Sequence, residues 1–310
     1  MHGSTHNGQR PGGVRACGSR RSTNVSILLL GDSLDRHIVK DLCGDVGHEH
    51  ACEWAPGTLG YIYGHGTPAC QLPGAALVAQ AHIYGVQPQP PYWDQYRIDK
   101  LPRKSPLDDV ASQTRVCNAV REFARREQGA FKAVIFSSLY WDMMASFPRR
   151  NPRCPREWAQ LHSNATSTAC VFQATPHNLT TYFVSLNDRI SDIELCKPRS
   201  VELLLHTVPA SPHGGPAMVQ LNALIVHAAA SRRLRCLDYD RLVWSNLLVP
   251  GRVAACQGGC ERNSPKGGSP FREIQGHGAH PLPEYTVPFA RYVVDTVLGR
   301  NVSMLPPMSA

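Results

Sequence analysis

An apolar run, Ile27-Leu28-Leu29-Leu30, stops at Gly31-Asp32-Ser33-Leu34, and near the other end of the chain His277-Gly278-Ala279-His280-Pro281 leads into a helix-like segment. A strand that ends in Gly-Asp-Ser sets a serine hydroxyl at the carboxyl edge of a sheet, the edge at which ligands sit in open α/β folds. A serine hydroxyl is a poor nucleophile at neutral pH until an adjacent base takes its proton, and a histidine returning from a distant segment can be that base. The chain therefore reads first as a serine hydrolase, with Ser33 as nucleophile. Ser33 also suits a helix N-cap ahead of residues 34–41. The two roles coexist, and a serine between strand and helix favours the catalytic one. Asp32 is expected to hold loop amides and stiffen the turn.

The elements that must position these residues follow from the apolar pattern. Short apolar runs predict strands at residues 25–30, 77–84, 132–137, 201–207 and 234–237, and helical spacing predicts helices near 108–128, 180–194, 216–230 and 284–298. In the first of these helices Val116, Val120 and Phe123 form one core-facing stripe. Strands separated by helices imply βαβ crossovers and a mostly parallel sheet. The stretches 43–71, 87–106, 148–173 and 249–278 read as long Pro- and Gly-containing loops, and by their length are expected to shape a substrate site. With 310 residues and 42% hydrophobic content the chain can bury one sizeable core. No internal repeat interrupts it. One domain over residues 23–310, preceded by a disordered basic arm over 1–22, is the expected organisation.

Several segments, in order, resemble the blocks of the SGNH/GDSL hydrolase superfamily. Gly31-Asp32-Ser33-Leu34 matches the first block and His280-Pro281 the last. His82-Ile83-Tyr84-Gly85 ends the second predicted strand, and Phe136-Ser137-Ser138-Leu139-Tyr140-Trp141-Asp142 follows the third. The latter is similar to the Ser-x-Leu-Trp-Asp variant of the PC-esterase-like branch. Leu205-His206-Thr207-Val208-Pro209, Leu221-Asn222, Leu237-Asp238-Tyr239-Asp240 and Arg36 in Gly-Asp-Ser-x-x-Arg extend the similarity to that branch, over about residues 24–298. The resemblance implies a flavodoxin-like three-layer α/β/α sandwich with a mostly parallel sheet.

It also implies roles. Among the fourteen histidines it selects His280, ahead of the final helix, as the base. It places the oxyanion glycine at Gly85, whose backbone N–H would join that of Ser33 in stabilising developing negative charge. The superfamily's third-block asparagine is replaced here, and Ser138 is expected to substitute through its hydroxyl. Arg36 and His206 are expected substrate contacts, while Trp141-Asp142 reads as a core aromatic and a helix cap without catalytic role. The main departure is the triad acid. Where the family pattern is Asp-x-x-His, this chain has His277-x-x-His280. A histidine cannot hold an imidazolium as a carboxylate does, which leaves a Ser-His dyad, a carboxylate from Glu273 or Glu284, or weakened catalysis.

The leading expectation is an esterase removing acyl groups, above all acetyl, from a carbohydrate or other hydroxylated small molecule, without a cofactor. An O-acyltransferase using the same Ser/His pair and a non-catalytic binding protein on the same fold are the alternatives. A metal hydrolase is weaker, because His277 and His280 could share a metal but spacing identifies no third ligand.

Compartment and partners are read from cysteines and charge. Eleven cysteines and four Asn-x-Ser/Thr sequons, at Asn24, Asn164, Asn178 and Asn301, suggest a glycosylated protein of the secretory lumen or exterior. The first 22 residues hold no apolar stretch of signal-peptide length, so the expectation is that the N-terminus is incomplete. Cys43 with Cys52, Cys154 with Cys170 and Cys256 with Cys260 each flank a loop, and loop-stapling disulfides are expected there, with an odd thiol left over. No run of 18 apolar residues exists, so no membrane span is expected. The net charge of +8 owes much to Arg10, Arg15, Arg20 and Arg21 in the arm, and elsewhere basic residues alternate with acidic ones. That pattern argues against nucleic acid as a partner.

Overall fold

The computed structural model describes Cys17 and residues 24–54, 67–72, 76–83, 85–86, 112–139, 142, 174–209, 215–243, 271–272 and 280–300. Its centre is β1 (Val25–Gly31), in which every residue from Ser26 onward is buried. A strand that is apolar on both faces needs cover on both. Leu28 and Leu30 face one apolar cluster and Ile27 and Leu29 the other. Helices supply the cover. On the first face lie α2 (Ser112–Arg126), α3 (Pro176–Cys196) and α4 (Gly215–Ser231), contributing Phe123, Tyr182, Ile190 and Leu221 among others. On the second lie α1 (Ser33–Val46) and α5 (Pro283–Val297), contributing Ile38, Leu42, Phe289 and Val293. The expected three-layer α/β/α arrangement is the observed one.

The remaining strands are β2 (Ala51–Trp54), β3 (Thr67–Leu72), β4 (Ala76–His82), β5 (Phe131–Phe136), β6 (Glu202–His206) and β7 (Arg235–Leu237). They form a seven-stranded sheet in the order β2-β3-β4-β1-β5-β6-β7. β4, β1, β5, β6 and β7 run parallel, and β3 and β2 add antiparallel at the edge. The chain leaves β1 to one side for β4 and then crosses to the other side for β5. That reversal opens a crevice at the carboxyl ends of β1, β4 and β5, the position at which doubly wound sheets hold ligands. A two-residue pair, β8 (Phe271–Arg272) with β9 (His280–Pro281), lies outside this sheet, and its register sets Arg272 opposite His280.

Two expectations are corrected here. The stretch 43–71 is not one loop: it holds the end of α1 and both antiparallel strands, β2 and most of β3. Short strands of mixed polarity such as Ala51-Cys52-Glu53-Trp54 carry too little periodicity to be seen alone, and are stabilised by pairing with β3 and through it β4. Nor do Cys43 and Cys52 pair with each other. Cys43 of α1 bonds to Cys70 of β3, Cys52 of β2 bonds to Cys17, and Cys117 of α2 bonds to Cys196 at the end of α3. The crosslinks therefore join helices and strands of the core, and Cys17 is tied to β2, where its N–H also donates to the Glu53 carbonyl at 3.0 Å. Among the described residues Cys236 is the free thiol. Cys154, Cys170, Cys256 and Cys260 lie outside the described residues.

Candidate active site

The turn that carries Ser33 is built from both sides. Asp32 caps α1 by accepting the Leu34 N–H at 2.8 Å, which leaves Ser33 as the first helical residue. Gly31 must lack a side chain, because a Cβ there would fall 1.7 Å from Asp35 Oδ2. From β4, the buried Gln80 donates its side-chain amide to the carbonyls of Gly31 and Asp32, at 2.9 and 3.2 Å. The Ile83 N–H adds a bond to the Gly31 carbonyl and the Ser137 N–H one to that of Leu30. The serine hydroxyl thus sits at a fixed helix N-terminus, where unpaired N–H groups and the helix dipole favour negative charge.

His280 reaches this hydroxyl from the far end of the chain. Its Nε2 lies 2.9 Å from Ser33 Oγ, across 247 residues of sequence. β9 presents the ring, and α5 begins immediately beyond it with Pro283 at its first turn. α5 is in turn fixed to α1 by Thr286, whose hydroxyl donates to Asp41 at 2.7 Å. The imidazole also packs against His37, one turn along α1 from Ser33, with ring centroids 4.3 Å apart. His37 was not anticipated as part of the site.

Gly85 lies in the loop after β4 with φ of +76°, the left-handed region that glycine tolerates. Ser138 lies in the loop after β5 and is buried. Its hydroxyl, expected as an oxyanion donor, instead donates to Asp142 Oδ2 at 2.6 Å, which commits its single proton elsewhere. His206 is a second correction. Rather than lining an open site, it is 1% exposed at the end of β6. Its Nε2 lies 2.8 Å from Asp35 Oδ1 and its Nδ1 2.7 Å from the Thr207 carbonyl. Both neighbours offer acceptor oxygens, an arrangement that favours a ring donating from both nitrogens. Burial pulls its pKa down, but the Asp35 carboxylate and the bonds at both nitrogens outweigh that and raise it overall. Arg36 is half-buried on the first turn of α1. His277 and Glu273 lie outside the described residues, as does the side chain of Glu284.

The ground beneath Ser33 is charged. Burial, and then the neighbouring Asp35, push the Asp32 carboxyl from 3.8 up to about 7. Asp35, Gln80 and His37 carry no signal in the sequence that points to the site, although a glutamine inside the apolar run of β4 is a visible irregularity, and Asp142 reads there only as a helix cap. Among the described residues no three His, Cys, Asp or Glu side chains come together as a metal site.

No family model matches the chain, and no curated protein matches it. Several solved structures are similar to it. One is a putative acylhydrolase from Bacteroides fragilis, at 11% identity and a TM-score of 0.41 over 92% of this chain and 91% of that one. Another is an acetyl xylan esterase, at 11% identity and 0.42 over 88% and 100%. A third is a carbohydrate esterase family 3 protein from Talaromyces cellulolyticus, at 12% identity and 0.42 over 89% and 99%.

Proposed function

We propose that the protein is a serine esterase that removes acyl groups, acetyl foremost, from a carbohydrate or other hydroxylated substrate. The observation that carries this reading is the 2.9 Å contact between His280 Nε2 and Ser33 Oγ at the N-terminus of α1. That distance is within reach for direct proton transfer from nucleophile to base.

In this reading His280 takes the Ser33 proton as Oγ attacks the ester carbonyl, and the tetrahedral oxyanion forms against the N–H groups of Ser33 and Gly85. Collapse breaks the bond to the alcohol, which leaves with the proton from His280 and an acyl group on Ser33. Water, deprotonated by the same histidine, releases the acid and restores the serine. The disulfides and the sequons support operation in an oxidising lumen or outside the cell.

A serine-directed fluorophosphonate followed by peptide mapping tests the assignment. Ser33 should be the labelled residue, and Ser33→Ala should lose both labelling and ester hydrolysis while folding normally. Labelling at another serine overturns it. Comparing p-nitrophenyl acetate turnover with and without a sugar acceptor separates hydrolysis from acyl transfer.

A further inference from the structure

Asp142, a helix cap by its sequence context, occupies a position that a cap does not explain. It is 1% exposed, and a buried carboxylate is costly unless several donors satisfy it. Its Oδ1 accepts the Val86 N–H at 2.8 Å, from the loop after β4. Its Oδ2 accepts the Ser138 hydroxyl at 2.6 Å, from the loop after β5. Gly85 presents its bare face to the same carboxylate: a Cβ at that position would meet Asp142 Oδ1 at 2.6 Å. The Tyr182 hydroxyl, from α3 on the flank of the sheet, donates to the Ser138 carbonyl at 2.6 Å and fixes the second loop in turn.

We propose that Asp142 is the positioning residue of the oxyanion hole, a clasp that holds the Gly85-Val86 turn so that the Gly85 N–H stays aimed at the carbonyl oxygen of the bound ester. The proposal rests on the esterase reading above. A glycine in the left-handed region has wide conformational freedom, and a donor serves the transition state only when it is fixed in advance. The Val86 N–H bond is charge-assisted, roughly twice as strong as a neutral one, and it grips the residue next to the donor. Asp142 need not touch substrate to act. It also accounts for the correction at Ser138, whose hydroxyl is spent on holding the clasp closed.

The test compares Asp142→Ala with Asp142→Asn in the full chain, on p-nitrophenyl acetate. Alanine removes both acceptors. Asparagine keeps an acceptor for Val86 and offers its amide N–H to the Ser138 hydroxyl, which can turn to accept. In Asp142→Ala kcat should fall by about 10- to 100-fold at nearly constant KM, since misplacing an oxyanion donor loses part of the 10²–10³ that deleting one loses. Asp142→Asn should recover most of it. A purely structural carboxylate would lower the melting temperature of Asp142→Ala and leave kcat of the folded fraction alone, and that result overturns the proposal. If Asp142→Ala does not fold, Ser138→Ala, which deletes the hydroxyl donor to Oδ2, should lower kcat at constant KM; unchanged kcat overturns the proposal. Failure of the esterase reading looks different, because the wild type then turns over no ester. In that event hydrogen exchange at the Val86 amide decides: protection lost in Asp142→Ala supports the clasp, and protection unchanged overturns it.

Discussion

Replacing Asp32 by asparagine should remove most of a pH-dependent loss of stability. The Asp32 side chain is 3% exposed and accepts the Leu34 N–H, while its Oδ2 has no hydrogen-bond partner among the described residues. Burial, then Asp35, raise its pKa from 3.8 to about 7 against the pull of the Leu34 N–H. A carboxyl whose folded pKa is raised holds its proton more tightly in the native state than in the unfolded chain. Its contribution to stability is therefore fully present below about 3.8 and is lost as pH rises through about 7. At about 1.4 kcal/mol per unit, a rise of about three units amounts to about 4 kcal/mol across that window. Asp32→Asn keeps the acceptor for Leu34 but cannot ionise. Its buried amide N–H costs about 1–3 kcal/mol if unpaired, a constant that displaces its stability curve without tilting it. Urea unfolding followed by tryptophan fluorescence at intervals from pH 4 to pH 8 should show the variant gaining about 4 kcal/mol on the wild type from one end to the other. Parallel curves would refute the reasoning and mean that Asp32 ionises in the folded protein as readily as in the unfolded one.

Cys117→Ser opens a crosslink between residues separated by 79 positions; the chain-entropy relation gives a loss of about 4.5 kcal/mol, read as a lower urea midpoint under non-reducing conditions. His277→Asp places a carboxylate where the resembled pattern has one, and kcat/KM for p-nitrophenyl acetate should rise, because in serine proteases exchanging the acid for its amide lowers kcat by about 10⁴. No rise there, together with loss of activity in Glu273→Gln or Glu284→Gln, would assign the acid to that glutamate.

What the sequence disclosed and what it hid differ in range. Apolar runs such as Ile27-Leu28-Leu29-Leu30 and the helical spacing of Val116, Val120 and Phe123 are local signals, and the five parallel strands and the helices over them appear within a few residues of where those signals point. Ser33 is readable from its place between strand and helix and His280 through the resemblance, which compresses a contact across 247 residues into two recognisable ends. The polar pairs had no such aid. Gln80 meets Gly31 across 49 residues, Val86 meets Asp142 across 56, and Asp35 meets His206 across 171. Each belongs to a residue type that is common on any surface, and only the fold buries it beside its partner. The cysteines show the same limit: position predicted loop staples, whereas Cys43 pairs with Cys70 because α1 packs on β3.

The buried polar groups around Ser33 share one electrostatic consequence. Three carboxyls, Asp32, Asp35 and Asp142, lie buried at the edge where an ester oxygen would acquire negative charge, and three bare carboxylates there would oppose it. Each is countered in a different way. Asp32 keeps its proton up to about pH 7 because burial disfavours its ionised form. Asp35 faces the His206 ring, whose pKa it raises, at 2.8 Å. Asp142 is satisfied by the Val86 N–H and the Ser138 hydroxyl. In the esterase reading the positive end of α1 would thus be left to act on the oxyanion, while the same carboxyls serve as struts for the turns after β1 and β4. Replacing them with apolar residues would spare the cost of burying charge but would release Gly31 and Gly85, whose lack of side chains makes those turns possible and leaves them in need of external support.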